Sequence, residues 1–253
     1  MKPIGFTRAA TVLVCGLALG LLVAVIGCAA KNGGKAARVD YGSEKNTAII
    51  NSAKGDRLSA SCPAGMMLIP SGPMLYGPNE EKDVPPTGKE DRINIKSFCI
   101  DKFEYPNEAG EAPTRSVPWL EARKLCGARG KRLCTEYEWE KACRGPAGTL
   151  YTYGDGYAAE VCPAASDEYG AGQFSNCVSG FGVQDMSGGV YEWTNSSTTG
   201  KGADMKILRG GLSKDYPALT SRCTYRVRYA SVGSGREIGF RCCGEAIKEE
   251  LSK

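Results

Sequence analysis

The chain contains no histidine at all. That excludes a Ser-His-Asp triad, a Cys-His dyad and every zinc or iron site that depends on imidazole ligands. There is also no run of five or more basic residues, and a net charge of +4 over 253 residues is small. Nucleic-acid binding is therefore not expected. Paired CxxC knuckles are missing, so the twelve cysteines do not read as zinc ligands. Helical periodicity is scarce as well, while 33 glycines point to much irregular backbone. The remaining bulk properties, 42% hydrophobic and 24% charged residues, are ordinary for a globular protein.

What is present starts at the N-terminus. Lys2 and Arg8 precede nineteen uncharged residues, Ala9 to Gly27, and then Cys28. A charged start followed by an apolar run is the pattern of an export signal, although the length would also suit a spanning helix. Val25-Ile26-Gly27-Cys28 looks like a bacterial lipobox. Residues 1–27 are accordingly read as a lipoprotein signal peptide and Cys28 as the lipidation site. Several acyl chains on one cysteine give stable attachment to a membrane. Ala29 and Ala30 follow with no Asp beside the lipid, which favours the outer membrane of a bacterial envelope. Residues 28–61 are polar and small and read as a flexible tether. Residues 62–243 read as one folded domain and 244–253 as an exposed tail.

With Cys15 and Cys28 set aside, ten cysteines remain, and an even number in an exported chain implies a disulfide framework. Thr135 and Glu138 predict a capping box, with Cys134 just before it. A helix running on to Cys143 would hold Cys134 and Cys143 roughly 12 Å apart, beyond the roughly 7 Å that a disulfide allows. Cys162 with Cys177 is the best local pair, worth about 3 kcal/mol in the chain-entropy account. Cys223 with Cys242 or Cys243 is the second expectation. The helical signals predict one helix from about Pro118 to Cys126, stopped by Gly127, and another from Glu136 to Arg144. Strands are expected at Met66–Ile69, Ile93–Ile100, Ile207-Leu208 and Thr224–Ala230. Trp119, Trp139 and Trp193 read as core aromatics.

Five motifs occur in a fixed order: MMLIPSGPMLYG (from Met66), FCIDKFEYPN (from Phe98), GKRLCTEYEWEKACRG (from Gly130), FGVQDMSGGVYEW (from Phe181) and IGFRCC (from Ile238). With LRGG at Leu208 to Gly211, the series resembles the formylglycine-generating enzyme family, also called the sulfatase-modifying-factor domain. The resemblance implies an α+β, C-type-lectin-like fold with short strands, few helices and long loops over Cys62 to Cys243. It also implies an oxidase whose two cysteines, in a C-x4-C arrangement, bind copper(I), a metal suited to soft thiolates. Here Cys223 is followed five residues on by Arg228, and in the alternative register the two positions are Thr224 and Tyr229. Neither register supplies a second thiolate. Cys242 and Cys243 are adjacent and would point to opposite faces of a strand. The copper oxidase reading is therefore disfavoured, and Cys223 is catalytic only if it holds.

The segment Asp185 to Glu192 resembles the family's DMxGNVWEW loop. The resemblance makes Asp185 and Glu192 calcium ligands, with the carbonyls of Gly188 and Val190 between them, and calcium accepts such oxygens. This chain has Gly189 where the family has Asn and Tyr191 where it has Trp. The bland reading is that Asp185 and Glu192 cap a turn. Arg209 and Arg241 either contact a ligand or brace loop carboxylates, and Asp101 and Glu104 are too isolated to be an acid/base pair. The expected protein is an envelope-anchored lipoprotein whose domain is a calcium-stabilised binding or scaffolding module. Its partners are the membrane, through the lipid, and an envelope protein or peptide. The alternative is an oxidase that converts a substrate cysteine to formylglycine with Cu(I).

Overall fold

The computed structural model describes residues 39–41, 47–51, 57–76, 91–164, 168–198 and 204–250. The chain divides into two units, Met1–Lys35 and Ala36–Lys253, and every described element belongs to the second. The signal segment and Cys28 lie outside the described residues. Among the described residues no helix is long and apolar enough to cross a membrane.

In chain order the strands are β1 (Val39–Tyr41), β2 (Thr47–Asn51), β3 (Arg57–Ser61), β4 (Met66–Ile69), β5 (Gly72–Tyr76), β6 (Asp91–Ile95) and β7 (Phe98–Asp101). Helix α1 (Trp119–Ala128), strand β8 (Arg132–Leu133) and helix α2 (Glu136–Arg144) come next. The C-terminal part holds β9 (Tyr191–Ser197), β10 (Met205–Gly210), α3 (Pro217–Thr220), β11 (Arg226–Ala230), β12 (Ile238–Phe240), β13 (Cys242–Glu245) and β14 (Ile247–Glu250). Few helices and many short strands make this an α+β fold.

One sheet runs in the order β4-β7-β13-β8. β4 and β7 are buried along their whole length, as continuous apolar runs covered on both faces should be. Met67, Ile69, Phe98 and Ile100 join Trp139 and Phe181 in one core cluster, whereas Met66, Leu68 and Cys99 belong to another with Ala60 and Cys62. That split is the period-two alternation of a strand. A second sheet runs β11-β10-β9-β12, with β12 parallel to β9. Its core cluster contains Trp119, Trp193, Leu208 and Phe240. All three tryptophans are buried. Each indole N–H has an acceptor: Thr194 O for Trp119, Glu192 Oε2 for Trp139 and Val117 O for Trp193.

α2 starts where its capping box predicts. The Glu138 amide donates to Thr135 Oγ1 at 3.2 Å, and the Thr135 amide donates back to Glu138 Oε2 at 2.8 Å. α1 buries Trp119, Ala122 and Cys126 along one stripe. It runs through Gly127 to Ala128 and closes at Gly130, whose φ is +68°; the Lys131 amide donates to Cys126 O and the Gly130 amide to Gly127 O, the bonds that end a helix on a left-handed glycine. The expected single run Ile93–Ile100 is two strands in two sheets, with β6 pairing β5 and β7 pairing β4.

Two boundaries differ from the sequence reading. Residues 39–61, expected within the tether, contribute β1, β2 and β3. Residues 244–250, expected within the tail, complete β13 and form β14. These strands build a sheet in the order β1-β2-β3-β14. Ala60 is completely buried, and Cys62 is bonded to Cys99 on β7. Ala60 and Cys62 pack with Met66, Leu68 and Cys99 in one buried cluster, a packing that polarity averaged over the segment does not reveal.

Among the described residues five disulfides join Cys62–Cys99, Cys126–Cys242, Cys134–Cys243, Cys143–Cys223 and Cys162–Cys177. The expected bond from Cys223 to Cys242 or Cys243 is not the one formed. β13 lies between β7 and β8, so its consecutive cysteines face opposite ways. Cys242 reaches Cys126 on α1, and Cys243 reaches Cys134 just before α2. Cys223 sits in the turn after α3, its amide donating to Leu150 O at 2.8 Å, and meets the last turn of α2 at Cys143.

Candidate functional site

β10 carries Arg209 completely buried onto the side of α2. Its Nη2 donates to Glu136 Oε2 at 3.1 Å and to Glu140 Oε2 at 2.9 Å. Its Nη1 donates to the carbonyls of Cys223 and Thr224 at 3.2 and 3.0 Å. One guanidinium thus ties the helix to the turn that holds Cys223. Burial raises the Glu140 carboxyl, with Arg209 and Arg144 opposing that rise. Arg226 adds a second cation to Glu136 at 3.2 Å and donates to Tyr76 Oη at 2.7 Å. Of the two roles open to Arg209 in the sequence, bracing is the one it takes.

The turn that Arg209 braces leads into every position the copper reading needs. The Cys223 sulfur is in the disulfide with Cys143, and the residue is fully buried. Thr224 precedes β11. Arg228 is exposed on β11, and Tyr229 turns its ring edge-on to Trp193 at 5.9 Å between centroids. Cys242 and Cys243 are bonded elsewhere. These residues do not fit a copper(I) pair, since none of these cysteines keeps a thiolate to donate to the metal.

The loop expected to hold calcium leads into β9. Asp185 Oδ2 accepts from the Gly172 amide at 2.7 Å, and Oδ1 is buried without a hydrogen-bond partner. Glu192 is committed elsewhere. Its Oε2 accepts from Trp139 Nε1 and Arg241 Nε, both at 2.8 Å, and its Oε1 accepts from Arg241 Nη2 at 2.8 Å. A calcium ion ligated by Glu192 would sit against a guanidinium and displace an indole, so the four expected residues do not fit as one ligand set. Val190 is buried, packed against Gly239 of the IGFRCC motif. The substitution at Gly189 has a direct cause. Its φ is +59°, and a Cβ there would lie 2.2 Å from Tyr169 Oη. Asparagine, which the family prefers, has no room.

Arg241 is the hub of this region and is fully buried. Besides Glu192, it donates to the carbonyls of Asp101, Lys102 and Gln184 at 3.1 to 3.3 Å. It approaches Glu104 at 3.7 Å. Glu104 accepts from Tyr169 Oη at 2.8 Å. Burial, opposed by Arg241 and reinforced by Asp185 and Glu192, pushes Glu104 up to about 8. Asp185 is pushed up to about 6, chiefly by burial. Sequence reasoning left Glu104 isolated. Its partners come from two distant motifs, which supply Arg241, Asp185 and Glu192, and from Tyr169 outside any motif, so no local pattern could have marked the cluster.

Beside Tyr229 the surface opens into a cavity of about 290 Å³ lined by residues of β9, β11, α3 and the strand leading into β12. Tyr191, Tyr216, Tyr225 and Tyr229 supply its aromatic wall, and Glu237 is its single acid. A second cavity, about 340 Å³, lies over Tyr169, with Arg115, Glu168 and Arg236 on its walls. Arg115 stacks over the Tyr169 ring at 5.3 Å.

Residues 105–246 match the family described as the sulfatase-modifying factor enzyme 1-like domain. The mouse protein named inactive C-alpha-formylglycine-generating enzyme 2 is 30% identical over 161 residues, covering 56% of this chain and 52% of that protein. Mouse formylglycine-generating enzyme is 27% identical over 170 residues, covering 53% and 45%. The chain thus spans about half the length of these relatives. Among solved structures, PvdO from Pseudomonas aeruginosa superposes with a TM-score of 0.56 at 18% identity, over 84% of this chain and all of that one. The fold is that of formylglycine-generating enzymes, C-type-lectin-like, as the motif order implies.

Proposed function

The chain belongs to the sulfatase-modifying-factor family, and from that premise we propose that it is a bacterial envelope lipoprotein whose domain binds a ligand and does not oxidise one. The observation that carries this reading is the Cys143–Cys223 disulfide. It removes the thiolate on which copper chemistry in this family would depend, and Tyr229 or Arg228 stands where a second would be. A relative named as inactive supports the same reading. Beside Tyr229 the chain also offers a cavity of about 290 Å³, near the lower end for small-molecule sites.

Placement in the envelope rests on Lys2, Arg8, the apolar run to Gly27 and Cys28. The five disulfides suit an oxidising compartment. The lipid on Cys28 would hold the domain at the outer membrane. There the domain would meet a small ligand or an envelope protein or peptide. Calcium has no part in this proposal, because Arg241 occupies the Glu192 carboxylate.

Thiol counting joined to anaerobic copper(I) titration of the exported protein tests the reading. The expected outcome is no free thiol among the ten domain cysteines and no stoichiometric copper. A free pair that includes Cys223 and binds one Cu(I) would establish the oxidase instead.

A further inference from the structure

The tyrosine-lined cavity has a definite charge character. Of its eleven lining residues four are tyrosines, one is glutamate, and none is lysine or arginine. An aromatic ring presents a negative face, and several such faces around one space favour a cation. Among the basic residues next to lining positions, Arg236 lines the other cavity and Arg209 is bound to Glu136 and Glu140. Arg226 and Arg228 alternate with Val227 and Tyr229 along β11 and so occupy its other face, and the Arg226 guanidinium is engaged by Glu136 and Tyr76.

The rings are also held in place. A Cβ on Gly211 would lie 2.4 Å from both Cγ and Cδ1 of Tyr191. The second glycine of LRGG therefore seats that ring flat against the main chain. Tyr229 is backed in the same way by Gly233, whose Cβ would be 2.5 Å from Cε1, and by Trp193. Burial, with the neighbouring Tyr225 adding to it, pushes the Tyr191 phenol up to about 12, so the ring is neutral at physiological pH. Glu237 folds over Gly235, where a Cβ would lie 2.6 Å from its Oε1. Tyr216, 67% exposed, stands at the mouth.

We propose that this cavity binds a small organic cation carrying an alkylammonium head, with the tyrosine faces surrounding the head and Glu237 supplying the countercharge. The proposal deepens the reading of the domain as a binding module and rests on it. A head group of four or five heavy atoms fits within this space, and an anion would meet the Glu237 carboxylate with no lysine or arginine on the lining to offset it.

Calorimetry on the full chain with choline and with its neutral isostere 3,3-dimethyl-1-butanol is the test. Choline should bind saturably, and the isostere at least about tenfold more weakly, since only the charge differs. Glu237→Gln and Tyr216→Ala should each weaken choline by roughly three- to tenfold. Both residues are exposed, so their melting temperatures should match the parent and loss of fold cannot explain the result. Equal affinity for choline and the isostere would overturn the proposal, as would failure of choline to bind at all. Either failure leaves the thiol count untouched, so the binding-module reading falls only with its own experiment.

Discussion

Arg241 holds together a group that could not otherwise be buried. Glu104, Asp185 and Glu192 are each no more than 1% exposed, and removing one partner of a buried pair typically costs about 3–5 kcal/mol. Arg241→Met should therefore lower unfolding free energy by about that much in urea titration. Arg241→Lys should rescue little, because a point charge cannot pair both Glu192 oxygens and reach three carbonyls. Glu104 gives a pH signature. Its folded pKa, about 8, lies above the ordinary 4.5, so the native state binds the proton more tightly than the unfolded state. That contribution is complete below the ordinary value and is lost as pH rises toward 8. Glu104→Gln should flatten this decline between pH 5 and 8, and an unchanged slope would mean that Glu104 is not its source. At this scale the sequence was least informative. It presents Arg209 and Arg241 as isolated letters, whereas their partners lie on α2, on β9 and in loops far along the chain.

The elements themselves were more legible, because their signals are local. Thr135 and Glu138 place the start of α2 to the residue, and Thr135→Ala should cost about 1 kcal/mol in thermal unfolding. Arg132 strengthens that start with a bidentate pair to Glu138 at 2.8 and 2.6 Å. Burial alone would raise Glu138, yet Arg132 and the Thr135 amide together bring it below the usual range. Short apolar runs likewise marked β4, β10 and β11. What the local pattern missed was pairing. β3 and β14 are polar and unremarkable in sequence, and their stability comes from each other across most of the chain. Gly127 misled for a related reason. A glycine closes a helix by turning left-handed, and here Gly130, at φ +68°, does so while Gly127 stays within the helix.

Across the whole molecule, charge and sulfur divide the work. The ionic hubs at Arg209 and Arg241 stand where ions were anticipated, so adding calcium or a chelator should leave the melting temperature unchanged. A rise of several degrees with calcium would restore Asp185, Gly188, Val190 and Glu192 as a ligand set. Family and fold were readable from motif order. The fate of Cys223 was not, because a cysteine's partner depends on which faces the strands turn toward one another. The positions of those partners bear on biogenesis. Three of the five cross-links need Cys223, Cys242 or Cys243, all near the C-terminus. During synthesis, Cys126, Cys134 and Cys143 therefore emerge long before their mates and must wait as thiols. Premature termination just before β13 would strand two of them, leaving a chain prone to mispairing and dependent on an isomerase.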